Sequence, residues 1–195
     1  MKKVILVVLI AIMFAGGLFV LTGCGEKEIP MVTITNEYTS RNVKVSIGYP
    51  EGSSYRSLDV LSEEGKENRY SSGHEPDIQL LSDRAYIEVN FEGFTESGKK
   101  NFAEYKDYIK NNQYSNEGFT ETTVNARGAF YRTYQDNIIL SIDMTDLMES
   151  PDASGAMYLK VNIMSLNMDE VTGVELFGEA EVKKIINSIK IENMD

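Results

Sequence analysis

A thiol beside small side chains at the end of a greasy leader is a processing and modification site. This chain has one such thiol, Cys24, its only cysteine. Thr22 and Gly23 precede it and leave the backbone open to a peptidase. Other reactive combinations are sparse. His74 is the only histidine and stands near Glu75 and Asp77, but no second histidine or free thiol completes zinc-ligand spacing, so it reads as a solvated loop residue. Asp143, Asp146, Glu149 and Asp152 gather around one loop without the spacing of an EF-hand, and read as a hydrated acidic turn. A nucleophile held beside a base is not visible, nor is a glycine-rich phosphate loop. The expectation is a non-enzymatic protein without metal or cofactor.

The leader itself is organised as an export signal. Lys2 and Lys3 open it, and an apolar run from Val4 to Leu21 is interrupted only by Gly16 and Gly17. The closing Leu21-Thr22-Gly23-Cys24 resembles the lipobox of bacterial lipoproteins. That resemblance implies cleavage between Gly23 and Cys24 and attachment of a diacylglycerol to the Cys24 sulfur. A retained transmembrane helix is the competing reading, since about 18 apolar residues is the lower limit for a span. Its flanks are wrong: a glycine pair inside, small residues at the end, and no Lys or Arg cluster following. Residues 1–23 are thus expected to be the signal, 24–31 a lipidated tether reaching at most about 25 Å, and 32–195 a single domain on the extracytoplasmic face of the cell membrane.

Charge narrows the partners. The full chain carries −11, and the leader removes two lysines, so the remaining 172 residues are two charges more negative. Such a surface repels nucleic acid and anionic lipid headgroups, and the acyl chains must hold the protein to the membrane. With Cys24 acylated no disulfide can form, and stability rests on core packing. A chain of this size buries roughly 70% of its unfolded surface.

Periodicity supplies the elements that position everything else. Val43, Val45, Ile47 and Tyr49 alternate with polar residues and Pro50 ends the strand. Residues 51–77 are polar, too long for a plain loop, and predict an irregular hairpin or a functional loop. Strands are expected over 78–81 and 85–91, then a helix from a Ser97 cap to about Asn112, with Phe102, Tyr105 and Ile109 on one side. Segments 120–124, 129–135, 138–144 and 157–166 read as strands, with Asp136-Asn137 as a tight turn. Val182, Ile185, Ile186 and Ile189 form the stripe of a closing helix beginning near Gly178. The sum is an α+β sandwich, an antiparallel meander with two main helices.

This arrangement resembles the Mog1/PsbP-like fold. The matching pieces are Tyr49-Pro50, the helix with Phe102-Ala103-Glu104-Tyr105, the strand start Gly128-Ala129, the meander, and the closing Val182 to Ile189 helix, together spanning about Val43 to Ile191. The resemblance implies an accessory or assembly protein without catalysis. Tyr49, Tyr55, Tyr70 and His74, in or beside polar stretches, are the expected partner-binding surface. A small-ligand receptor or a surface hydrolase is the alternative, which a deep cavity with converging polar groups would favour.

Overall fold

Alternating apolar residues recur along the described part of the chain, and in the computed structural model they become strands. The structure describes residues 29–36, 43–49, 52–57, 76–93, 99, 101–113, 116–147 and 158–194. These hold a three-stranded sheet in the order β1-β2-β10, made of Met31–Asn36, Val43–Gly48 and Lys190–Asn193. A seven-stranded sheet has the order β3-β4-β5-β9-β8-β7-β6. Its strands are Ser54–Ser57, Ile78–Leu81, Ala85–Glu92, Tyr158–Ser165, Asn137–Asp143, Arg127–Tyr134 and Thr120–Val124 in that order. Every strand pairing among the described residues is antiparallel.

The α+β expectation holds, with a second sheet that periodicity did not show. Val43, Val45 and Ile47 point into the common core, but their strand belongs to the small sheet. Met31, expected as the last tether residue, opens β1, and the chain is already docked before it: Tyr49 N donates to the Pro30 carbonyl at 2.9 Å. Within the expected irregular segment, Ser54–Ser57 forms β3 against β4; residues 58–75 lie outside those described.

One face of the large sheet buries Ile78, Leu80, Ile87, Val89, Phe91, Ile138, Leu140, Ile142, Leu159, Val161 and Ile163. Over it lie the small sheet and two helices, α2 (Gly173–Gly178) and α3 (Ala180–Asn187). The opposite face carries α1 (Phe102–Asn111), which packs Phe102 and Ile109 with Phe130 and Tyr158 as a separate cluster. Lys106 and Lys110 fasten α1 to β6 through Glu121, at 2.8 and 3.1 Å, and hold that carboxyl below its usual range.

Helix ends correct three expectations. The α1 cap is Asn101, whose Oδ1 accepts from Glu104 N at 2.9 Å, instead of Ser97. Asn101 directly precedes the apolar stripe, and Ser97 is separated from it by glycine and two lysines. The closing helix begins at Ala180, and α2 precedes it, started by a capping box between Thr172 and Glu175. Glu179, extended at φ −72° and ψ 145°, divides the two helices. The β7–β8 turn is centred on Gln135-Asp136, at φ +49° and +62°, one residue earlier than expected, with Asn137 paired in β8.

Two positions give opposite stability tests. Gly173 is where α2 meets the sheet; a Cβ there would lie 2.5 Å from the Ile163 carbonyl oxygen and 2.9 Å from Asn137 Cα. Both obstacles are backbone, so Gly173→Ala is expected to cost about 1–3 kcal/mol. Ala126 sits at φ +67° in the β6–β7 turn, where a Cβ is unfavourable. Ala126→Gly is expected to stabilise by about 1 kcal/mol. Urea midpoints of the two variants should therefore move in opposite directions.

Candidate functional site

The most enclosed hollow among the described residues is a cleft of about 270 Å³ between the β4–β5 hairpin and the α2–α3 corner. Its floor is apolar because it is an opening onto the main core: Leu80, Ile87, Leu176, Val182 and Ile185. Its rim is polar, with Ser82, Asp83, Arg84, Glu179 and Glu181. Ser82 shapes the hairpin, its Oγ accepting from Ala85 N at 3.0 Å. Arg84 crosses the mouth as a fork, Nη1 and Nη2 donating to the two Glu179 oxygens at 3.2 and 2.9 Å. Glu179 ends α2 and starts α3 without capping either through its side chain, so its carboxylate is available to Arg84.

A second polar cluster lies on the α1 face of the large sheet. Register places Glu88 opposite Asn162, Asn90 opposite Lys160 and Glu92 opposite Tyr158 across β5 and β9. Lys160 Nζ donates to Glu92 at 2.9 Å and Asn162 Nδ2 to Glu88 at 3.2 Å. Ser141 stands opposite Lys160 in register, a hydroxyl and an amine side by side. Hydrolytic chemistry would need that hydroxyl bonded to its base and open to substrate. Ser141 is 1% exposed and its Oγ makes no hydrogen bond.

Beside it Tyr105 and Tyr158 stack at 4.8 Å with their hydroxyls 3.2 Å apart. Burial pushes the Tyr158 hydroxyl well above its ordinary range, with Tyr105 and the Glu92 carboxylate adding to the effect. Tyr158 is a core residue that resists ionisation, not an acid or base working near neutrality.

The sequence-based candidates are only partly brought together. Tyr49 and Tyr55 meet at 4.7 Å between ring centroids, Tyr49 against the core and Tyr55 half exposed. Gly23, Cys24, Tyr70 and His74 lie outside the described residues. Asp77, neighbour of His74 in sequence, is buried and accepts from Phe91 N at 2.8 Å. In the acidic loop, Asp143 Oδ1 accepts from Thr145 N at 2.8 Å and Asp146 pairs with Arg127, so both carboxylates serve the turn. Among the described residues no three His, Cys, Asp or Glu side chains are arranged to hold a metal.

The cleft residues were not singled out by sequence. Asp83-Arg84 reads as a strand connector, and its ion-pair partner lies 95 residues further along the chain. No family model, curated protein or solved structure matches this chain.

The Tyr158 environment has a pH consequence. Its folded value is raised above the unfolded value of about 10, so the native state keeps a proton that the unfolded chain releases. The stability of the neutral hydroxyl is present below pH ~10 and is lost as pH rises beyond it. Urea unfolding between pH 8 and 11 should show falling stability, and Tyr158→Phe should flatten that fall.

Proposed function

We propose that this chain is a lipid-anchored extracytoplasmic binding module, cut before Cys24, acylated on its sulfur, and presenting the α+β domain to a protein partner at the cell membrane. The observation that supports this reading is how close to Cys24 in sequence the chain joins the fold. Ile29 covers Gly48, and Pro30 is hydrogen bonded to Tyr49, five residues beyond the thiol. Five extended residues reach at most about 18 Å, so an anchor at Cys24 would hold the domain against the bilayer. Two acyl chains supply on the order of 20 kcal/mol of membrane attachment, more than enough against the repulsion of an acidic domain. Among the described residues no helix is long and apolar enough to cross a membrane.

A binding role is supported by the chemistry of the cleft. Its ionic groups are Asp83 on the hairpin, Glu179 and Glu181 at the helix corner, and the Arg84 guanidinium committed to Glu179. The resemblance to Mog1/PsbP-like accessory proteins points the same way. A small-ligand receptor draws on the same cleft, though about 270 Å³ falls just short of the roughly 300 Å³ at which small-molecule pockets usually begin.

Intact-mass measurement on protein extracted from its native membrane tests the reading. The expected mass lacks residues 1–23 and carries a diacylglyceryl group on Cys24. Cys24→Ala should abolish incorporation of labelled fatty acid and leave the leader attached. A full-length chain with a free sulfur would overturn the proposal.

A further inference from the structure

We propose that the cleft between the β4–β5 hairpin and α3 receives an apolar side chain flanked by cationic groups, supplied by a peptide segment of the partner. The inference rests on the binding-module reading and adds the chemistry of the occupant. Two features of the cleft select that occupant together. The floor of Leu80, Ile87, Leu176, Val182 and Ile185 offers only carbon to whatever enters. At about 270 Å³ it accommodates one large side chain and not a whole helix.

The rim then sets the charge. Arg84 is neutralised by its bidentate contact with Glu179. Asp83 and Glu181 line the same rim, and among the described residues neither has a hydrogen bond or an ion pair. Two uncompensated carboxylates around an apolar hollow favour positive groups on each side of an inserted apolar one, and they repel an acidic peptide. Access is open on the Gly52 side, where an added Cβ would meet nothing within 4 Å. The net negative charge of the domain draws a basic segment toward the rim before contact.

The chain as isolated from its native membrane, in nanodiscs of zwitterionic lipid if it is acylated and in detergent if it is not, is titrated with an acetylated, amidated Lys-Phe-Lys tripeptide carrying a para-fluorophenyl ring, read by fluorine NMR. A Glu-Phe-Glu tripeptide is the comparison. The basic peptide is expected to bind, and the acidic one to bind at least about tenfold more weakly. Asp83→Asn with Glu181→Gln should remove about that same factor for the basic peptide, and so should raised salt. Both substitutions are on the rim, which keeps the core intact; Val182→Phe, which fills the floor, should abolish binding. Failure of the basic peptide to bind, equal binding of the two peptides, or unchanged affinity in the double variant would each overturn the inference. A chain that proved not to be acylated would leave these binding outcomes as they are, so the two proposals fail separately.

Discussion

The pairing of β5 with β9 is the constraint on which the rest of the structure depends. Eight residues of each strand are in register, from Ala85 opposite Ser165 to Glu92 opposite Tyr158. Antiparallel alternation then puts Ile87 and Ile163, Val89 and Val161, Phe91 and Leu159 on one face, all 4% exposed or less. A one-residue slip would send that set to the α1 face and bring Glu88, Asn162 and Lys160 into the core. The only cysteine, Cys24, precedes the first strand, so within the two sheets no disulfide can correct such a slip. The register is specified by burial alone.

Each further element adds to that face without altering it. The meander extends the sheet through β8 and β7 to β6, while α2, α3 and the small sheet cover the apolar side. The cleft is where this cover stops short: the β4–β5 hairpin projects past the α2–α3 corner, and Arg84 closes part of the gap. Its apolar floor and charged rim are thus two faces of one geometric fact, an edge of the core that meets water.

Strands and the meander were legible because period-two alternation is local. Ile138, Leu140, Ile142 and Met144 were read as one buried stripe, and all are 1% exposed or less. The C-terminal stripe of Val182, Ile185 and Ile186 was legible for the same reason at helical spacing, whereas Ile189, expected in the same helix and equally buried, lies beyond its end at Asn187. What escaped was non-local or carried by short signals. β10 holds only Ile191 as an apolar residue and exists because β2 pairs with it. The Thr172-x-x-Glu175 capping box was present in the text but starts a helix of only six residues. The candidate site was illegible, since Arg84 and Glu179 have no local pattern linking them, and Tyr49 with Tyr55 was the one expected pair that the fold brings into contact.

The three-stranded sheet has a consequence for the order of assembly. Its middle strand, β2, lies between β1 from the start of the domain and β10 from its end, with Ser46 opposite Lys190. Ser188 reinforces the closure by accepting from Gly48 N at 2.6 Å. A chain delivered N-terminus first therefore leaves one side of β2 unpaired until the last strand arrives. Closing so long a loop is entropically slow. The small sheet thus stays open on one side through synthesis and latches only once β10 is available to pair with β2.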